Sequence, residues 1–152
     1  MELSERYLRE NIKQKPIVEN SKEVFDLLYQ TMRDLDYELL KVILLNGQNQ
    51  VIDVIDVFRG SITSSSVYPR EIIKLGLKYS ASALVLVHNH PSGIPKPSED
   101  DKHLTRKLIF GCMTTEIEVH DHIIIGDNQY YSFADEGLVQ SYEREFKRRI
   151  EL

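Results

Sequence analysis

The sequence predicts an α/β fold in which helices pack on a mixed β-sheet, and three observations predict it. Helix-like and strand-like segments interleave along the whole chain. Residues 83–87, ALVLV, form an apolar run without the alternation of a half-exposed strand, so they read as a strand covered on both faces. Asn46-Gly47, between two strand-like runs, is a strong short-range hairpin signal.

The elements follow in order. Residues 3–12, LSERYLRENI, suit a short amphipathic helix that Pro16 ends. Asn20, followed three residues later by Glu23, resembles a capping box. It opens a helix with Val24, Leu27, Leu28, Met32 and Leu35 on one side. Two strands are expected at YELLKVILLN (37–46) and QVIDVIDVF (50–58). Tyr68-Pro69 starts a helix running to about Tyr79, with proline where its missing N–H leaves nothing unpaired and Gly76 carried at some loss of stability. After the ALVLV strand, a helix starts near Ser98 with Leu104 and Leu108 one turn apart. Two further strands, within EIEVHDHIIIG (116–126) and QYYSF (129–133), meet at the turn GDNQ. A last helix, 138 to about 150, aligns Tyr142, Phe146 and Ile150.

At 152 residues the chain is expected to bury roughly two-thirds of its unfolded surface. The organisation expected is a helical lead-in (1–35), one domain (36–138) and a C-terminal helix (139–152). Hydrophobic residues make up 41% and charged residues 28%, the balance of an ordinary globular chain. A formal charge of -5 gives no footprint for non-specific nucleic-acid binding, so direct binding is not expected. Lys147-Arg148-Arg149, in a last helical turn, reads as a complement to the helix dipole. The single cysteine, Cys112, excludes an internal disulfide and reads as a small core residue. Residues 1–16 contain no apolar signal core, and no apolar run approaches the ~20 residues that span a bilayer. The cytoplasm is the compartment these features predict, with no membrane contact. The charged terminal helices suit packing on the domain or on another copy, a homo-oligomer.

The chemistry concentrates in residues 88–101. His88 and His90 close the buried strand, and alternation sends both side chains to one side. Two imidazoles supply half of a tetrahedral zinc shell, and Asp101 supplies a third, anionic ligand with the fourth position open. A zinc ion there would bring the pKa of bound water towards ~7. Ser98, one turn before Asp101, can donate to a developing oxyanion. Ser98-x-x-Asp101 is equally the pattern of a helix N-cap, and the two roles are compatible.

His88-x-His90-x7-Ser98-x2-Asp101 resembles the JAMM motif of the MPN (JAB) metalloprotease fold. More closely, FRGSI, VYPREII, ASALVLVHNHPSG, PKPSEDD and DHIIIGDNQYYSFADEG resemble the RadC family of bacterial proteins over roughly residues 38–138. The resemblance implies an MPN-type mixed sheet sandwiched by helices. It also implies zinc on His88, His90 and Asp101, with Ser98 beside the metal water, and hydrolysis of peptide or isopeptide-like amides by a metal-bound hydroxide. The family carries a DNA-repair label, and its longer members have an N-terminal helix-hairpin-helix region that is not expected within residues 1–35. JAMM proteases also use a glutamate on an earlier strand as general base. The resemblance puts it three residues before Phe58, where this chain has Ile55, and no glutamate lies between Glu38 and Glu71. Asp53 shares the face of Ile55, and Asp56 takes the other. The rival expectation is therefore a catalytically weak MPN adaptor in DNA-repair-associated complexes, the general base being unknown.

Other residues carry less. His120 and His122 are expected on one strand face with Asp121 on the other, capping a sheet edge or bonding locally, or with one imidazole supporting a ligand from behind. His103 is expected in solvent, and Asn89 and Ser92 to shape their loop. Gly93 is expected to supply a turn conformation a Cβ resists. Arg59 and Arg70 are expected as surface ion-pair partners or anion contacts.

Overall fold

The computed structural model describes residues 17–151. Five strands form one mixed sheet in the order β2-β1-β3-β4-β5, with β1 at Leu39–Leu45, β2 at Val51–Arg59, β3 at Ala83–Asn89, β4 at Glu118–Ile125 and β5 at Tyr130–Ser132. Among the described residues four helices accompany it: α1 (Ser21–Met32), α2 (Pro69–Lys78), α3 (Glu99–Thr114) and α4 (Leu138–Ile150). The α/β expectation holds, and the mixed sheet sandwiched by helices is consistent with the MPN (JAB) fold. The helix expected at 3–12 lies outside the described residues.

The strand patterns explain the order. β1 and β3 are buried at every position and lie in the middle, with apolar side chains feeding a core on each face. On one face Leu40, Leu84, Leu86 and Ile124 pack with residues of α2, α3 and α4, among them Ile72, Leu108 and Val139. On the other, Ile43, Val85, Val87 and Ile123 pack under Val24, Leu28 and Met32 of α1. β3 and β4 run parallel, and such a pair needs a crossover, which α3 provides. The other pairs are antiparallel. Among the described residues, no helix is long and apolar enough to cross a membrane.

The hairpin expected at Asn46-Gly47 joins β1 to β2, with Asn49 rather than Gly47 in the left-handed region, at φ 60. The Asn46 side chain organises that turn, accepting from the N–H groups of Gln48 and Gln50. Leu35 lies beyond the end of α1, although it packs against the same cluster. Ile150 is exposed, and α4 is held by Phe146 against Phe110 and by Glu145 accepting from Arg106. The face shared by His120 and His122 is lost to a bulge in the β3–β4 register. His122 turns to the α3 side, whereas His120 and Asp121 both line a hollow on the α1 side.

Candidate metal centre

The candidate site forms where β3 ends and its crossover helix begins, the edge at which parallel strands commonly present ligand sites. Leu40 of β1 pairs with His88 of β3. Two residues further along this antiparallel register, Glu38 comes opposite His90, and alternation puts all three polar side chains on one face. Asp101 enters from the third position of α3. Ser98 caps that helix reciprocally: its Oγ accepts from the Asp101 N–H at 3.0 Å, and Asp101 Oδ2 accepts from the Ser98 N–H at 2.9 Å. The cap therefore fixes the orientation of the Asp101 carboxylate.

The polar atoms converge closely. His88 Nε2 and His90 Nε2 are 3.1 Å apart, His88 Nε2 is 3.3 Å from Asp101 Oδ1, and His90 Nε2 is 3.1 Å from Asp101 Oδ2. Glu38 Oε1 lies 3.8 Å from His90 Nε2. Two ligand atoms bonded tetrahedrally to one zinc ion at about 2.0–2.1 Å would stand roughly 3.3 Å apart, so the spacing suits a shared cation. Glu38, His88 and His90 can each offer one ligand atom to such an ion.

Charge and protonation agree with that fit. His90 Nδ1 lies 2.9 Å from the Ile94 carbonyl, which can only accept, so Nδ1 carries a proton and a neutral ring leaves Nε2 bare. Burial works against a charge on His90, but the hydrogen bond to Asp101, the Ile94 carbonyl and Glu38 outweigh it and raise its pKa. Burial likewise opposes ionisation of Asp101, yet His88 and His90 hold its carboxyl far below the usual carboxylate range. Both shifts record the pairing of the Asp101 carboxylate with the two imidazoles.

Glu38 is the residue that sequence reasoning missed. Its Oε2 accepts from the Ile62 N–H at 3.1 Å, and its carbonyl accepts from the Gly60 N–H at 2.8 Å, so the FRGSI segment wraps around it. Gly60 takes φ +125, a conformation that side chains resist. Asn89 clamps the other side: its Oδ1 accepts from the Leu39 N–H at 2.8 Å and its Nδ2 donates to the Tyr37 carbonyl at 2.9 Å. These contacts aim Glu38 Oε1 at the histidines. The signal available in sequence was Glu38's even offset from the strand that pairs with VHNH.

The positions expected for the base are elsewhere. Ile55 pairs with Val42 and packs against the apolar cluster. Asp53 pairs with Leu44, four residues from the Leu40–His88 row, roughly 13 Å along the strand. Asp56 is exposed and accepts from Lys41 Nζ at 2.8 Å.

Ser98 borders the same open pocket of about 450 Å³ as Glu38, His90 and Asp101. His88 is fully buried, with Nδ1 turned away from the pocket towards His122. Burial, with the neighbouring His88 adding to it, drives the His122 imidazole well below its ordinary pKa. Gly93 has φ +85 as expected, and Ser92 Oγ accepts from the Ile94 N–H within the loop. His103 is exposed. Arg59 stacks over Tyr37 and Arg70 over Tyr68. Cys112 is buried, which pushes its thiol up to about 12 and makes it a poor nucleophile.

A model of the RadC-like JAB domain family matches residues 18–138. Among similar curated proteins, a UPF0758 protein of Pseudoalteromonas translucida is 43% identical over 139 residues, covering 91% of this chain and 62% of the relative. A UPF0758 protein of Saccharophagus degradans is 40% identical over 139 residues, covering 91% and 62%. One of Shewanella baltica is 38% identical over 138 residues, covering 91% and 61%. The chain thus spans about three-fifths of the length of the curated relatives it matches.

Proposed function

The chain belongs to the RadC-like JAB domain family, and from that premise we propose that it is a zinc-dependent hydrolase of the JAMM type, cleaving peptide or isopeptide-like amide bonds. The observation that carries this reading is the convergence of His88 Nε2, His90 Nε2 and the Asp101 carboxylate at 3.1–3.3 Å with the Glu38 carboxylate beside them. Two imidazoles and a carboxylate are a zinc donor set. Bound zinc supplies a Lewis acid and lowers the pKa of water towards ~7.

His88, His90 and Asp101 hold the ion in this reading. Glu38 is the general base: Oε2 stays anchored on the Ile62 N–H while Oε1 takes a proton from the attacking water and returns it to the departing amine nitrogen. The Ser98 hydroxyl, whose oxygen already caps α3, keeps its proton to donate to the oxyanion. A half-buried carboxylate on the pocket wall beside the histidines speaks against the adaptor reading. The pocket also argues for a peptide rather than a nucleic acid. Its lining includes Asp36, Glu38, Asp100 and Asp101 and no lysine or arginine among the described residues, so a phosphodiester would be repelled.

The test is hydrolysis of a panel of peptides and lysine-linked isopeptides by zinc-loaded protein. Glu38→Gln should keep zinc and lose about 10²–10⁴-fold in rate; His90→Ala should lose both. Hydrolysis that survives His90→Ala refutes the mechanism.

A further inference from the structure

We propose that His122 is a positioning residue of the metal centre: with Thr105 it forms a buried relay that fixes His88 in the tautomer whose Nε2 binds the metal. The inference rests on the metal-site reading above and extends it to two residues outside the ligand set.

The assignment follows from donors and acceptors. The Asp101 backbone carbonyl can only accept, and Thr105 Oγ1 lies 2.7 Å from it, so the single hydroxyl proton is committed there. Thr105 Oγ1 is also 2.6 Å from His122 Nδ1 and can only accept from it, so His122 Nδ1 carries a proton. The His122 ring is fully buried, stacked 4.8 Å from Phe133 at 7°. Its two nitrogens face a hydroxyl and another imidazole, and neither compensates a buried charge. A neutral ring leaves Nε2 as a lone pair. His88 Nδ1, 2.7 Å from that lone pair, must donate to it. His88 Nε2 then faces Asp101 and His90 without a proton of its own.

His90 reaches the same state by the separate route through Ile94. Both imidazoles therefore present Nε2, one set from inside the core and one from the loop. The relay ends on the carbonyl of Asp101 itself, so it ties the ligand-bearing end of β3 to the first turn of α3. Partners behind a metal-bound histidine commonly fix its tautomer and orientation. Here that partner is a second histidine, held by a threonine one helical turn after a ligand.

Two measurements test this. Long-range ¹H–¹⁵N correlation on chelator-stripped wild type should show protons on Nδ1 of both His88 and His122 and a bare His122 Nε2; a protonated His122 Nε2 overturns the proposal. Competition titration with zinc ion then compares variants whose fold is checked by circular dichroism. His122→Phe keeps ring volume without an acceptor and should bind zinc about 10- to 100-fold more weakly. His122→Gln places an acceptor near the Nε2 position and should recover most of that loss. Equal affinities across wild type, Phe and Gln, or equal losses in Phe and Gln, overturn it. If His122→Phe does not fold, Thr105→Val against Thr105→Ser asks the same question, weak against near-normal binding being expected. Failure of wild type to bind zinc would refute the metal-site reading, while the tautomer measurement would still decide the relay.

Discussion

Replacing Gly126 with alanine should damage the site from behind. Gly126 follows the last residue of β4, where the loop carrying His90 doubles back. An added Cβ would stand 2.5 Å from the Gly93 carbonyl oxygen, 2.7 Å from Pro95 Cδ and 3.0 Å from Pro95 N. Ordinary carbon–oxygen contacts begin near ~3.3 Å, so something must move by roughly 0.8 Å. Backbone and a proline ring cannot swing aside like a flexible side chain. The Gly93 carbonyl is further held by the Asp127 N–H at 2.8 Å, and the Ile94 carbonyl next to it fixes His90 Nδ1. Overpacking of this kind costs about 1–3 kcal/mol, and a loss of ~2 kcal/mol lowers the melting temperature of a domain this size by roughly 4–8 °C. Misplacing His90 by most of an ångström should also weaken zinc binding and slow hydrolysis by up to about 10²-fold. Thermal denaturation and zinc titration would be measured beside Gly47→Ala, whose Cβ would meet only Ser82 Oγ at 3.6 Å. A Gly126→Ala protein that melts and binds zinc like the Gly47→Ala control would refute the steric reasoning.

Three further outcomes are expected. Asn89→Ala leaves the buried Leu39 N–H without its partner and should cost about 1–3 kcal/mol in chemical denaturation, with a disproportionate fall in kcat because Glu38 loses its clamp; a stability loss with unchanged kcat would separate Asn89 from the base. Ser98→Gly removes the hydroxyl at an N-cap where glycine is tolerated within a few tenths of a kcal/mol, so stability should barely move while hydrolysis falls by about 10²-fold; equal activity would confine Ser98 to capping. Asp121 is raised from 3.8 to about 6, chiefly by burial, against the hydrogen bonds from Ser132, Ala134 and His122. A carboxyl with a raised folded-state pKa binds more protons folded than unfolded between these values, so its contribution to stability falls as pH rises from about 4 to 6. Urea denaturation across that window should show this slope in wild type and lose it in Asp121→Asn; an unchanged slope would contradict the assignment.

What the sequence made legible was local. The ALVLV run, the His88–His90 pair and the Ser98/Asp101 cap each sit within one element or its end, where pattern and geometry coincide. Glu38 was not legible because its place beside His90 belongs to the pairing of β1 with β3, fifty residues apart in the chain, and the base was sought on β2 instead. The separation of His120 from His122 depends on a bulge, which alternation cannot foresee. The hairpin at Asn46-Gly47 was legible from the dipeptide, while the Asn46 side chain and the left-handed Asn49 that shape its turn were not.

The most direct test of the central claim is zinc per chain, by elemental analysis of wild type and Asp101→Ala purified without chelators. Close to one zinc is expected in wild type and little in the variant, whose two histidines have lost their anionic partner. No zinc in wild type after supplementation, or full retention in Asp101→Ala, would contradict it.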